Sequence, residues 1–306
     1  MQVQSGKVAK AQRVVIYGPE GIGKSTFAAQ FPKAIFIDTE GSTDHLNVSK
    51  VNAPTCWNDI IAVIDWMLKD SPDYSTLVID TVDWAEKLCI QHLCQTNKKK
   101  GIEDFGFGKG YIYLYEEFYR FIEKLNQLKN RGVNIVFTAH SIIKRFDLPE
   151  ESGSYDRYEL KLEKKITPLV KEWADMILFC NYKTYVVEVE GKRKAQGGQR
   201  VMFTSHTPNW DAKNRHNLKE ELKMEYSEIA EHIQSPRIDN LAFLSELYTL
   251  MDRDGITREE VQALVVSNKM YNSDVPIDAY EEAFVRNKIL KYWDKFKQAI
   301  IIGRTK

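Results

Sequence analysis

Residues Gly18-Pro19-Glu20-Gly21-Ile22-Gly23-Lys24-Ser25 follow the order G-x-x-x-x-G-K-[ST], directly after the apolar run Val14-Val15-Ile16-Tyr17. A strand that ends in a glycine-rich turn and opens a helix aims several backbone N–H groups at one point, where a phosphate chain can sit. Lys24 then supplies a point charge for the β- and γ-phosphates, and the Ser25 hydroxyl is placed to ligate Mg²⁺. The helix expected over Ser25–Phe31 is stopped by Pro32. Gly18, Pro19, Glu20, Gly21, Ile22, Gly23, Lys24, Ser25 and Thr26 are therefore the expected nucleotide-binding residues, with ATP and Mg²⁺ as their ligands.

Other residue types stand where triphosphate chemistry needs them. Leu77-Val78-Ile79-Asp80 is an apolar strand ending in a carboxylate, the place from which an aspartate holds a Mg²⁺-bound water beside the loop serine. Ile35-Phe36-Ile37-Asp38-Thr39-Glu40 ends in two carboxylates. They are either a solvated strand-end pair or the source of a base for the attacking water, and Glu40 is the better placed for that role. Val136-Phe137-Thr138-Ala139-His140 ends in an imidazole that either caps a strand or hydrogen-bonds the terminal phosphate. Lys213-Asn214-Arg215 reads most simply as a solvated basic turn. If it reaches a neighbouring subunit's nucleotide, it supplies cations for the transition state.

These positions require a scaffold, and the intervening sequence provides one. Apolar runs at Val14–Tyr17, Ala34–Ile37, Thr76–Ile79, Asn134–Thr138 and Asp175–Phe179 alternate with helical stretches at Asp59–Leu68, Trp84–Cys94 and Leu114–Asn130. That alternation predicts an α/β fold with a mainly parallel sheet flanked by helices. Tyr182–Glu190 and Gln199–Ser205 are expected to form a β-hairpin around a basic, glycine-bearing turn, followed by a helix through about Ile233. Ser235-Pro236 marks a boundary. It divides a nucleotide-binding domain, 1–234, from a C-terminal helical domain, 235–306, with helices at Asp239–Met251, Thr257–Ser267 and Ile277–Ile301. In the last of these, Val285, Ile289, Tyr292, Trp293 and Phe296 make one apolar face.

Two stretches after the strand ends read as long loops. Asn97–Tyr111 carries Lys98, Lys99, Lys100, Phe105, Phe107 and Lys109, and Ile142–Leu160 carries Lys144, Arg145 and Arg157. Cations interleaved with rings suit single-stranded nucleic acid, and equally describe a mobile surface loop with incidental charge. Lysine plus arginine and aspartate plus glutamate number 43 each, so no global basic field exists and any nucleic-acid contact must be local. No apolar stretch approaches the roughly 20 residues of a membrane span. The N-terminus lacks a signal peptide's apolar core, and Cys56, Cys89, Cys94 and Cys180 lack a disulfide or metal spacing. A cytoplasmic protein with reduced thiols is the expectation.

Taken in order, these pieces resemble the RecA-like core. More closely, Tyr17–Thr26, Phe105-Gly106-Phe107-Gly108-Lys109-Gly110-Tyr111, Thr138-Ala139-His140 and Lys213-Asn214-Arg215 resemble the phage-encoded RecA-like P-loop ATPases of the Sak-type single-strand annealing and recombination group. The resemblance covers residues from about Val8 to Ile233. It implies that Glu40 is the catalytic glutamate, that His140 senses the γ-phosphate where RecA carries glutamine, and that Lys213 and Arg215 act in trans. It further implies a DNA-stimulated ATPase in a bacterial host's cytoplasm, assembled as a ring or filament on single-stranded DNA. A single-strand-binding or other phage replication or recombination protein would be a partner. A DnaB-like helicase motor or loader would use the same residues. A P-loop small-molecule kinase or a non-catalytic nucleotide switch would use the loop alone.

Overall fold

Within each central strand, alternate side chains enter different cores. Val15 and Tyr17 of β1 (Arg13–Gly18) join one buried cluster, and Val14 and Ile16 join the other. The same split occurs in β2 (Ala34–Asp38) between Ile35 with Ile37 and Phe36. A sheet buried on both faces demands such near-continuous apolar runs. The computed structural model describes residues 10–70, 73–147, 153–189, 192–233, 242–272, 275–277, 280 and 284–304, with backbone alone for 185–189, 192–195 and 242.

β3 (Ser49–Lys50), β4 (Thr76–Asp80), the first half of β5 (Asn134–Asp147) and the first part of β7 (Met176–Val189) complete the parallel region. Its order is β3-β2-β4-β5-β1-β7, so β5 lies between the glycine-loop strand β1 and β4, which ends in Asp80. β8 (Lys192–Phe203) and β9 (Glu221–Lys223) extend the sheet antiparallel beyond β7, and β6 (Ser154–Leu160) pairs with the second half of β5. α1 (Lys24–Ala28) packs on one face. α2 (Trp57–Asp70), α3 (Val82–Thr96), α4 (Lys109–Asn130) and α5 (Ile166–Trp173) pack on the other. The mainly parallel, helix-flanked sheet expected from the apolar runs is present.

Several expectations need correction. Ile142–Leu160 is not a loop: β5 runs on to Asp147 and returns as β6, forming an antiparallel ribbon in which Lys144 pairs with Arg157 and Arg145 with Asp156. Arg157 is buried, and its guanidinium donates to Asp211 Oδ1 at 2.6 Å beside Lys171, so it is an interior ion-pair partner and not a surface cation. The expected helix through Ile233 is replaced by β9 and short 3₁₀ turns, because edge pairing of Val201 with Lys223 and Phe203 with Glu221 overrides local helical preference. From Lys192 to Gly198 the basic, glycine-bearing stretch is part of β8, where Gly197 sits at a register shift opposite Lys183/Thr184; Gly191 lies outside the described residues. The helix predicted from Leu114 starts earlier, at Lys109.

The chain divides into two compact units, Met1–Ser235 and Pro236–Lys306. In the second, α6 (Ala242–Asp254) and α7 (Arg258–Ser267) enclose a core with Leu247, Val261, Val265, Ile289 and Trp293. Thr257 and Glu260 form a reciprocal capping box at the start of α7, worth about 1 kcal/mol. The continuous helix expected over Ile277–Ile301 is interrupted: a π-helical turn at Val285–Ile289 and a 3₁₀ turn at Leu290–Tyr292 precede α8 (Trp293–Arg304). That break rotates Tyr292 off the apolar face into solvent. No helix among the described residues is long and apolar enough to cross a membrane.

Candidate functional site

The glycine loop leaves β1 under tight steric control. A Cβ on Gly18 would lie 2.1 Å from the Cys180 carbonyl oxygen of β7, so the strand end tolerates no side chain. Gly23 caps α1 at φ 103°, a left-handed conformation that favours glycine. Lys24 follows, buried, with its ammonium donating to the carbonyls of Gly18 at 3.2 Å and Pro19 at 2.9 Å across the loop. Burial pulls its pKa below the ordinary lysine value, against the opposing charges of Asp80 and Asp83.

Asp80 ends β4 fully buried. Its Oδ1 accepts the Thr138 hydroxyl from β5, while Oδ2 has no hydrogen-bond partner. Burial pushes the carboxyl up, opposed by hydrogen bonding from Thr138 and by the nearby Ser25 hydroxyl, which favours ionisation although no bond of normal length reaches Oδ2. An orphaned, buried carboxylate oxygen close to a serine hydroxyl fits a divalent cation. Among the described residues no cluster of three or more His, Cys, Asp or Glu side chains forms a metal cage. Mg²⁺ is usually held by one or two protein oxygens together with phosphates and water, so Ser25 and Asp80 suffice.

β2 brings a second carboxylate pair. Asp38 is consumed by its own loop: Oδ1 accepts from Gly41 N–H at 2.7 Å, and Oδ2 from the Thr43 hydroxyl at 2.6 Å and Thr43 N–H at 2.9 Å. Burial opposes its ionisation, but these donors win and hold the carboxyl below its ordinary value. Glu40 is left available. Thr39 fixes its position, donating its hydroxyl to the Thr81 carbonyl at 2.8 Å and accepting the Thr81 N–H at 2.9 Å. That clasp ties the ends of β2 and β4 together. Burial raises the Glu40 pKa; His140 opposes the rise, and Asp83 and Asp80 add to it.

His140 stands at the last parallel pair of β5 with β1, opposite Gly18. It is not a strand end, since the same strand continues into the ribbon with β6. Asp83, in the first turn of α3, accepts the His140 backbone N–H at 3.0 Å and contacts ring Nδ1 at 2.9 Å. Burial works against the Asp83 charge, but the two contacts to His140 outweigh it and hold its carboxyl below the ordinary value. With Nδ1 committed to Asp83, Nε2 points to Glu40, 3.9 Å from Oε2. One turn along α3, buried Glu86 accepts the Glu163 N–H at 2.9 Å and is pushed up to about 7 by burial. Asp83 escapes the motifs because a carboxylate in a helix's first turn is common. Its spacing from the strand-end Asp80 was the available signal.

Gly21, Gly23, Lys24, Ser25, Glu40 and His140 line one cleft of about 390 Å³, and Arg200 of β8 lines it too. Lys213 and Arg215 are elsewhere. Lys213 donates to the carbonyls of Lys171 and Glu172 at 3.0 Å, capping the C-terminus of α5. Arg215 lies 3.3 Å from Asp175, which also takes the Arg13 fork at the opposite end of β1. The length of β1, about 17 Å, separates that end from Gly18. Lys98, Lys99, Lys100, Phe107 and Lys109 are exposed, whereas Phe105 is half-buried against the main core.

Residues 10–216 match the AAA domain family. The chain belongs to that family. The chain is also similar to the SPbeta prophage-derived uncharacterized protein YorG of Bacillus subtilis (strain 168), with 24% identity over 132 residues. The match covers 42% of this chain and about 40% of that protein's length. The AAA domain is a nucleotide-binding P-loop NTPase module.

Proposed function

We propose that this AAA domain hydrolyses ATP in the cleft between the glycine loop, Glu40 and His140, and that single-stranded DNA stimulates it. The observation that carries the reading is the pairing of Glu40 with His140 Nε2 at 3.9 Å in the cleft of Lys24 and Ser25. A passive switch gives no reason for a positioned carboxylate there, and a P-loop kinase would use it on an acceptor hydroxyl, so phosphate release without a phosphorylated acceptor separates hydrolysis from kinase action. Glu40 accepts a proton from water as its oxygen bonds to the γ-phosphorus and the bond to the β–γ bridging oxygen breaks, releasing ADP and phosphate. A carboxylate raised by burial is a stronger base for this task than an exposed one. Lys24 and the loop N–H groups hold the phosphates. Mg²⁺, held by Ser25 and within reach of Asp80, would supply charge neutralisation of the phosphates.

The DNA step rests on two surfaces. Phe107 is fully exposed at φ 49°, near the exposed Lys98, Lys99, Lys100 and Lys109. A bulky residue held left-handed and in water is costly, which favours a stacking role over incidental exposure. The β5–β6 ribbon adds exposed Ile143, Arg145 and Phe146. Assembly on DNA as a ring or filament would bring Arg215 to a neighbour's nucleotide. The test is ATP turnover with and without single-stranded DNA across a salt series. Stimulation that fades with salt is expected, with none in Lys24→Ala and orders of magnitude less turnover in Glu40→Gln. Full turnover in Lys24→Ala, or none in the native chain with DNA, overturns the reading. Duplex separation with a polarity would instead favour a helicase motor.

A further inference from the structure

Arg200 belongs to none of the motifs, yet it reaches the glycine loop. β1 pairs with β7 and β7 with β8, and Arg200 stands directly across from Tyr182 in the last of these ladders. On its other side, the Arg200 carbonyl accepts the Met224 N–H at 3.4 Å. The backbone is thus held on both edges. Two strand spacings, about 10 Å, separate β8 from β1, and an arginine directed inward recovers much of that distance. It does so here: a Cβ on Gly23 would lie 3.0 Å from Arg200 Nη1. Tyr182 touches the same loop, its hydroxyl donating to the Gly21 carbonyl at 3.4 Å.

An exposed arginine is unremarkable on a protein surface. This one differs in where its fork ends and in what it lacks. No carboxylate, carbonyl or ring holds the guanidinium among the described residues, whereas Lys183 near it in the same hairpin pairs with Glu221 at 2.5 Å. Together with Lys24 it brings cations to a cleft whose loop already presents N–H groups. A guanidinium fork and an ammonium beside loop N–H groups match the oxygens of a phosphate chain.

Topology says which phosphates. β5 and β7 flank β1 on opposite sides. His140 enters from β5 and Glu40 from β2, beyond β4 on that same side, while Arg200 enters from β8, beyond β7. A nucleotide whose terminal phosphate meets Glu40 and His140 turns its inner phosphates towards Arg200. We propose that Arg200 grips the α- and β-phosphates of the nucleotide bound to its own subunit. The proposal rests on the nucleotide orientation set out above.

The experiment is calorimetric titration of the intact chain with ATP and with ADP in Mg²⁺, alongside steady-state turnover. Arg200→Ala is expected to weaken both nucleotides by the same factor, about 10- to 100-fold, the range for a lost charge-assisted hydrogen bond. The KM for ATP rises with it, and Arg200→Lys, which keeps charge without the fork, falls between. Unchanged affinity in both variants overturns the proposal. So does weakened ATP binding with ADP untouched, or a loss confined to kcat, since either moves Arg200 to the terminal phosphate. Lys24→Ala is the parallel arm: undiminished ATP binding there overturns the glycine-loop reading itself, and the proposal with it.

Discussion

Glu86 offers a quantitative test of the electrostatics behind the site. It is 7% exposed, sits one helical turn from Asp83, and among the described residues takes only the Glu163 N–H as a donor. Burial, with the charges of Glu163 and Asp83, raises its carboxyl from an ordinary 4.5 to about 7. The folded state therefore binds this proton more tightly than the unfolded chain. The resulting stability is fully present below pH 4.5 and is lost as pH rises through about 7. The interval corresponds to about 3 kcal/mol. Glu86→Gln keeps an oxygen for the Glu163 N–H and removes the ionisation. Relative to the native chain, the variant should gain about 3 kcal/mol between pH 4.5 and pH 8, whatever its offset at acid pH. Urea unfolding at a series of pH values measures this. Trp57, Trp66, Trp84, Trp173 and Trp210 lie in the first unit, with Trp293 in the second, so fluorescence follows mainly the unit that holds Glu86. Subtraction cancels the acid-side losses of Asp38, Asp83 and Asp175, whose lowered carboxyls are common to both proteins. A flat difference from pH 5 to pH 8 would refute the burial argument.

Other perturbations address the positioning contacts. Asp83→Asn should lower turnover about 10- to 100-fold with ATP affinity retained, because His140 loses the charged partner at Nδ1; an equal loss in binding would make Asp83 merely structural. Arg157→Ala removes one of the partners of buried Asp211, which keeps Lys171 and His206, and should cost about 1.5–3 kcal/mol of stability, measurable by urea unfolding. A variant of native stability with weakened DNA binding would restore Arg157 as a surface cation. For the proposed action in trans, inactive Arg215→Ala and inactive Glu40→Gln should recover turnover when mixed, since some interfaces then hold both native residues. Absence of recovery at every ratio argues against the role. The acid limb of the turnover profile should lie above the ordinary carboxylate range, following the raised Glu40; a limb at or below that range would assign the base elsewhere.

What could be read from sequence was what is local. The glycine loop and the apolar run before it are contiguous, and burial on both faces leaves a plain apolar record in β1, β2, β4 and β7. Glu40 was separable from Asp38 only in part, because the turn that consumes Asp38 depends on Gly41, Ser42 and Thr43 folding back on it. The second half of β5 was hidden by its own environment. Ser141–Asp147 is largely exposed, so cations and rings replaced the apolar signal and the stretch resembled a loop. Arg157 was misplaced for a different reason: it is buried against Asp211, which lies 54 residues away and leaves no local signal. Arg200 carries no spacing signature at all: it reaches the loop through two strand ladders.

The continuity of β5 through His140 has a mechanical consequence. Up to Phe137 the strand is clamped by β4, and up to His140 by β1; beyond that point β6 alone pairs with it among the described residues. β6 is itself anchored: Arg157, opposite Lys144, is pinned by Asp211, and the Tyr158 N–H by the Asn209 carbonyl. The ribbon is therefore a beam held at two points, and its overhang from Arg145 to Asp147 is about 10 Å, so a tilt of about 10° moves the tip by about 2 Å. Displacement at the tip is shared between Asp211 and the root of β5, where one imidazole lies between Asp83 and the cleft.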